Sequence, residues 1–548
     1  MKITLKKLLP VLLAISLLGG CSQIPDKPQQ TSAVTSEAPP ESDTSDVMES
    51  APEDVDAVNY DIEKEDVLIK LNAEGGEFSG VVRSEGEYDG SGYIVLDEGQ
   101  KLLHMANIPS SQHYRIVIAA QSYTGAVIKL SCTEGNVGMY YIPASEEMTF
   151  VQFSVDRLYL AEGMAILNFE QIKGTASLDY ILIEDSDKVP DGCYRTAVSV
   201  VGNNTGISTI STMKFLSDSY GIRTITGQNV TLGTNAEIDA IYKETGRYPA
   251  MRCGDLMYSS IYAPEESSDT AEAEIQHAID WGKDGGMISM GWHWYSPLEH
   301  GSDIYKSETL FDLGTAVTTR DIANASIEEI QGLYDSAMLS ESCLLLIKDI
   351  DNMAETLKHF KQEQLSVIWQ PIPDGDSDIY WWGGNAENYK WLWNLMFTRM
   401  NKYHNLNNLI WVWNGTDPTF YPGDEVCDIV GQGMFNNSSA SFAARFEALA
   451  RISPTDTKAV AITSCDKLPD PNYLRRDNAM WMWFSPASGE YVINEDGSLS
   501  EKYTSWQSFY DIYNSRLCIT RDELPDMLTY GMEYMLNEEQ YESTPQTE

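Results

Sequence analysis

The residues best suited to chemistry lie in one stretch, Val367 to Gly384. It begins as an apolar, strand-like run and continues into Gln370-Pro-Ile-Pro-Asp374-Gly-Asp-Ser-Asp378-Ile-Tyr-Trp381-Trp382. Flat aromatic rings beside carboxylates suit the holding of a sugar: rings stack on apolar C–H faces, and carboxylates bond hydroxyls or move protons. Similar sets follow other apolar runs, namely Gly227-Gln228-Asn229, Gly254-Asp255, Gly291-Trp292-His293-Trp294 and Trp413-Asn414, with Trp481 and Trp483 in a late run. Trp369, Trp391, Trp393, Trp411 and Trp413 sit inside strand or helix patterns and read as core. The acidic run Asp374 to Asp378 lacks the Gly at position six and the Glu at position twelve of a calcium loop, so it reads as a solvated turn.

Eight strand-like runs must position these groups: 221–226, 249–252, 286–291, 365–369, 409–413, 428–431, 459–463 and 479–483. Helical patterns alternate with them, at 270–282, at 387–403, at 441–450 and after Ser326-Ile-Glu-Glu329, which has capping-box spacing. Eight strands alternating with helices over about 300 residues predict a TIM (β/α)8 barrel, in which the segments following each strand gather at one mouth.

The rest of the 548-residue chain has a different character. All 13 Trp lie at or beyond Trp281, which separates a Trp-free front from a Trp-rich back. The formal charge of −45 argues against nucleic acid, whose backbone would be repelled. Residues 1–21 combine a basic start, a short apolar run and Leu18-Gly-Gly-Cys21, which together predict a bacterial lipoprotein signal with Cys21 as the lipidated residue. The expected location is therefore the extracellular face of a bacterial cell membrane. Residues 22–58 are acidic and rich in Ser, Thr and Pro, without aromatics, and predict a tether. The other seven cysteines are scattered and form no CxxC pair; most read as small buried residues, with room for one disulfide. Residues 59–190 alternate apolar and polar positions in short runs and predict an all-β sandwich. The barrel is placed at 200–535, followed by a tail at 536–548.

The segments after the eight runs, with Tyr421-Pro-Gly-Asp-Glu-Val-Cys-Asp-Ile-Val-Gly431, together resemble glycoside hydrolase family 26, whose best-known members are endo-β-1,4-mannanases. The front domain resembles jelly-roll carbohydrate-binding modules of the family 6/35 type through Asn72-Ala-Glu74, Gly90-Ser-Gly-Tyr93, Leu158-Tyr-Leu-Ala-Glu-Gly163 and Leu178-Asp179-Tyr-Ile181. The second resemblance implies structural calcium at Glu74 and Asp179, with Asn72 where a Glu is common. The first implies no cofactor for catalysis. It places Asp374 at the acid/base position, where the family carries Glu in Arg-Pro-Phe-His-Glu, and Ser464 at the nucleophile position, where the family carries Glu. It further implies substrate contacts at His293, Trp292, Trp294, Asp255, Gln228, Trp381, Trp382 and Trp483, and at Phe435, which stands near the family's Tyr.

Both chemical positions are therefore altered. Asp sets its oxygens back by about 1.5 Å, one C–C bond, and a 1 Å misplacement can cost about 10²-fold in rate. A serine without a base is a poor nucleophile. Asp466, two residues on, would share its face if the strand continued. The expectation is a lipid-anchored surface protein that recognises β-mannan or a related polysaccharide without efficient cleavage. One alternative is a divergent endo-β-glycanase using Asp374 as acid/base. Another is a glycan-capture lipoprotein of a transport system, which would require two hinged α/β lobes.

Overall fold

The computed structural model describes residues 67–133, 135–298, 301 and 303–532. The expectations for the signal, Cys21, the tether and the tail at 536–548 lie outside the described residues.

The front region is all β and antiparallel. One sheet runs Val81–Arg83, Tyr93–Leu96, Ala176–Asp185, Gln112–Gln121 and Val151–Leu160, with Val67–Asn72 also pairing Ala176–Asp185. The other runs Glu77–Phe78, Lys101–Ile108, Gly163–Lys173, Ala126–Cys132 and Gly135–Ile142. Alternation explains the two-layer form: along Lys101–Ile108, Leu102, His104, Ala106 and Ile108 are buried, while Lys101, Met105 and Asn107 are exposed. The inward side chains, including Ile94, Ile116, Ile128, Leu167, Phe169 and Ile181, form one core.

The back region is a closed barrel of eight parallel strands: β1 (Thr224–Asn229), β2 (Met251–Asp255), β3 (Met287–Trp292), β4 (Val367–Pro371), β5 (Leu409–Asn414), β6 (Ile429–Met434), β7 (Ala459–Cys465) and β8 (Trp483–Pro486). Each pairs with the next, and β8 closes on β1 with Trp483 opposite Ile225. The strands are almost entirely buried because both faces are covered, by helices outside and by barrel side chains inside. Ser326 caps its helix as expected: its hydroxyl accepts from Glu329 N, and the Glu329 side chain accepts from Ser326 N. A closed barrel leaves no pair of hinged lobes, so the transport-capture alternative loses its structural basis.

The two regions are bonded to each other. Arg157 sits at a bulge with φ +60° and grips Glu447 with Nη2 donating to Oε1 at 2.9 Å. Arg476 lies 4.1 Å over the Tyr159 ring, and His113 meets Asp477 at 3.0 Å.

One strand departs from expectation. The run 479–483 is entirely buried, but the strand is Trp483–Pro486. A uniformly apolar run carries no period to mark its ends. Trp481 therefore precedes β8 and Trp483 begins it, at the end of the barrel away from the mouth.

Candidate functional site

The loop after β4 is held in an unusual conformation. Ile372 and Asp374 both have left-handed backbones, φ +42° and +53°. For a β-branched residue before proline this is strained, and such strain persists only where surroundings over-determine it. Here Ile372 N donates to Trp292 O at 3.1 Å, and Tyr389 Oη donates to Ile372 O at 3.0 Å. Trp382 Nε1 donates to Pro373 O at 2.8 Å, and Asp374 N to Asn414 O at 3.1 Å. Gly375 is required next, since a Cβ there would lie 2.1 Å from the Tyr389 ring. Four anchors on three neighbouring elements thus aim Asp374 at the mouth. Beneath it, Gln370 bridges the barrel: its amide donates to Ser289 Oγ at 2.6 Å and its oxygen accepts from Asn414 Nδ2 at 3.0 Å.

The acidic run divides its work. Asp376 accepts from Thr416 N at 2.6 Å and Asp417 N at 2.9 Å, tying this loop to the one after β5. Asp378 pairs with Lys306 at the surface. Asp374 lies close enough to His293 to favour its cation.

Asp255, ending β2, and His293, following β3, form a couple. Asp255 Oδ2 meets His293 Nδ1 at 2.7 Å, while Oδ1 accepts from Met257 N at 2.8 Å and His293 N at 3.2 Å. The approach depends on Gly291, where a Cβ would sit 2.4 Å from Asp255 Oδ2. Burial disfavours the His293 cation, but the Asp255 carboxylate, with Asp374 nearby, outweighs it and raises the imidazole above its ordinary value. With Nδ1 committed to Asp255, Nε2 is the nitrogen available to a ligand.

The tryptophans expected as sugar platforms are sealed instead. Trp292, Trp294, Trp382 and Trp483 are 0 % exposed and Trp381 is 2 % exposed. Trp292 and Trp294 stack at 4.1 Å, Trp294 Nε1 donates to Asp349 Oδ2 at 2.6 Å, and Trp381 Nε1 donates to Trp294 O at 2.6 Å. Asp349 is itself buried, which pushes its carboxyl up to about 6. These indoles form a floor under the β3 and β4 loops. Gln228 is likewise buried, its amide turned to Asn229 O and Pro486 O at 2.6 and 3.3 Å. Partly exposed rings come from residues the sequence did not single out: Tyr258 and Tyr295, stacked at 6.3 Å, and Tyr305. Phe435, which the sequence did mark, is half-buried against Tyr491. The tyrosines belong to no motif, and their placement follows from how the loops fold together.

Across the mouth, β7 carries Ser464 opposite Gly433 of β6. Ser464 is half-buried, and among the described residues its hydroxyl has no hydrogen-bond partner. The strand ends at Cys465. Asp466 does not share the face of Ser464 in the way strand continuation would require; its Oδ2 accepts from Asn437 N at 2.7 Å, in the loop after β6. Burial pushes the Asp466 carboxyl up to about 6.

In the sandwich, Glu74 and Asp179 come to the same turn. Glu74 Oε1 accepts from Ser91 N at 2.7 Å, and Asp179 accepts from Asp89 N at 3.0 Å. Glu74 Oε2 is buried without a protein partner, an orphan oxygen that fits a hard cation. Among the described residues no group of three or more His, Cys, Asp or Glu is arranged to hold a metal. The seven cysteines from Cys132 to Cys518 are all free.

Comparison with known proteins places this geometry in a lineage. The mannan endo-1,4-β-mannosidase of Thermothelomyces thermophilus is 25% identical over 450 residues, covering 80% of this chain and 86% of that protein. Mannan endo-1,4-β-mannosidase B of Piromyces sp. is 25% identical over 487 residues, covering 85% and 79%. The crystal structure of the Podospora anserina GH26-CBM35 β-(1,4)-mannanase shares the fold, with a TM-score of 0.56 at 24% identity over 84% of this chain and 99% of that one. The sequence model of glycosyl hydrolase family 26 matches residues 201–523, more than half of the chain and the whole eight-stranded barrel, and the protein belongs to that family.

Proposed function

We propose that the barrel mouth binds β-1,4-mannan or a related β-glycan and does not carry out the two-step retaining hydrolysis typical of the family. One observation carries this reading. The end of β7 offers Ser464, and the next carboxylate, Asp466, is turned to Asn437 N. Retaining cleavage needs two carboxyl groups about 5–5.5 Å apart, one of them the nucleophile. Removing the nucleophile removes the covalent intermediate, and Asp374 then has no departing bond to assist. The Asp255–His293 couple remains as a hydrogen-bonding edge for hydroxyls.

The test pairs two assays on the full chain. Affinity electrophoresis in mannan and glucomannan gels is expected to retard the protein, while reducing-sugar release at high protein load stays at the blank. Release that disappears in Asp374→Ala would replace this reading with a divergent hydrolase using Asp374 as acid/base, which the four-point anchoring of that loop favours.

The surface setting belongs to the same proposal. Cys21 carries lipid, residues 22–58 form the tether, and the sandwich acts as a carbohydrate-binding module; mass spectrometry of the N-terminal peptide and gels run with residues 59–190 removed check these points. Calcium at Glu74 and Asp179 is expected to raise the melting temperature of the full chain relative to the same protein in chelator.

A further inference from the structure

We propose that Trp506 and Tyr510 form a second glycan-binding site, on the outside of the barrel, an inference that rests on the glycan-binding reading above. The helix Trp506–Tyr513 follows β8 and turns Phe509, Ile512 and Tyr513 into the core. Trp506 and Tyr510, one turn apart on its other face, are 40 % and 42 % exposed, and their rings stack at 5.5 Å with planes 22° apart. Of the 13 tryptophans, Trp391 is half-buried, Trp506 is exposed and the rest are buried. The barrel thus shows water a single indole, and a phenol lies almost parallel to it. The core does not use this pair, and two rings four residues apart add little to the stability of their own helix.

The backbone beneath the pair is fixed. Trp506 N donates to Glu501 Oε2 at 2.9 Å, Ser505 Oγ caps the helix by accepting from Ser508 N at 3.1 Å, and Tyr510 O accepts from Asn514 Nδ2 at 2.9 Å. Among the described residues, Trp506 Nε1 and Tyr510 Oη have no hydrogen-bond partner. A preset flat surface with a free N–H and a free hydroxyl on its edges matches a pyranose, whose C–H face stacks while its hydroxyls bond the edges. The formal charge of −45, with Glu501 at the Trp506 N–H, selects a neutral glycan over an anionic one. Aromatic contacts lead from the mouth toward the pair, which is the ground for choosing the same polymer as its occupant. Phe435, in the loop after β6, packs edge-on against Tyr491 at 6.0 Å, and Tyr491 packs against Tyr503 at 4.6 Å, both in the loop after β8. Trp506 opens the helix three residues later, and in a (β/α)8 barrel that end of the helix adjoins the mouth. A polymer has repeats enough to engage the mouth and the outer pair together, so a weak second contact raises the overall affinity.

The experiment measures quenching of tryptophan fluorescence by acrylamide, a neutral quencher, in the full chain with and without soluble glucomannan. The parent is expected to show a readily quenched component that Trp506→Phe lacks, and glucomannan is expected to protect it. His293→Ala is expected to keep that protection, because the outer pair does not work through the mouth. In glucomannan affinity gels Trp506→Phe, which keeps a flat ring, is expected to stay within about threefold of the parent, and the double variant Trp506→Ala with Tyr510→Ala to bind roughly tenfold more weakly. Glucomannan that retards the parent yet leaves the quenched component unprotected overturns the outer site and leaves binding at the mouth standing, and so does equal retardation of the parent and the double alanine variant. Protection that rises with protein concentration alone assigns the pair to contact between two copies and likewise overturns the site. Absence of binding by the parent to every glycan overturns both readings.

Discussion

The two sides of the barrel mouth are built to different standards. On the β2–β4 side, Asp255 accepts three hydrogen bonds, His293 is oriented by one of them, and Asp374 sits in a left-handed loop anchored at four points. A floor of buried indoles, bonded to Asp349, lies underneath. On the β6–β8 side, Ser464, next to the last residue of β7, has no hydrogen-bond partner among the described residues, and Asp466, two positions on, accepts from a backbone N–H. The contrast teaches that holding a sugar and breaking it depend on separable parts of one cleft. Ground-state binding needs a rigid, hydrogen-bonding wall. Hydrolysis also needs a group whose interaction strengthens in the transition state, and a covalent nucleophile supplies one.

The comparison can be broken most directly by rebuilding the poorer side. The double variant Ser464→Glu with Asp374→Glu is expected to release reducing sugar from mannan at least about 10²-fold above the parent. If it gains nothing, β4 and β7 do not present their ends to one bound chain, and the two-sided description is wrong. A second test sets the foundations against each other. Asp349→Ala leaves Trp294 Nε1, Ser260 Oγ and Ile261 N without their acceptor and is expected to cost about 2–3 kcal/mol in urea unfolding. Asp466→Ala frees the Asn437 N–H in the loop after β6 and is expected to cost about 1 kcal/mol.

A smaller effect follows from Asp255→Asn. Without that carboxylate the His293 imidazole is expected to titrate at lower pH, read from its ring-proton NMR signals, and mannan affinity is expected to fall several-fold. The smallest effect is on stability against pH. Asp349 and Asp466 bind a proton more tightly folded than unfolded, so their contribution grows as pH falls from about 6 toward the ordinary carboxylate range and is unfavourable above it. His293, also raised, contributes fully below its ordinary value and loses that contribution as pH rises through the folded one. Asp351, Asp424, Asp477 and Glu447 are held low, and their contributions are lost only in more acidic solution. The melting temperature is therefore expected to drop by a few degrees between pH 5 and pH 8, as scanning calorimetry would show. Asp466→Asn should remove part of that drop from the poorer side, and Asp255→Asn part of it from the richer one.

Local patterns settled a good deal by themselves. The eight apolar runs, the alternation of the sandwich and the Ser326 capping box are short-range signals, and each depends on residues within a few positions of one another. The same holds for the loop after β4, where two prolines, an acidic run and a Trp pair announce an irregular, functional segment. The choice of Ser at 464, with its consequence for covalent chemistry, is likewise written in one position.

Tertiary structure alone decided which aromatic rings are walls and which are floor. Trp292, Trp382 and Tyr305 all lie at or after the ends of β3 and β4, yet the two indoles are sealed and Tyr305 is partly exposed. It also decided that Gly291 admits Asp255 beneath His293 and that Asp466 turns to the β6 loop. These contacts join residues 29 to 38 positions apart, across strands that become neighbours only when the barrel closes. Hydropathy and spacing register what a residue's sequence neighbours require of it, whereas burial and hydrogen-bond direction are set by atoms brought from elsewhere in the chain.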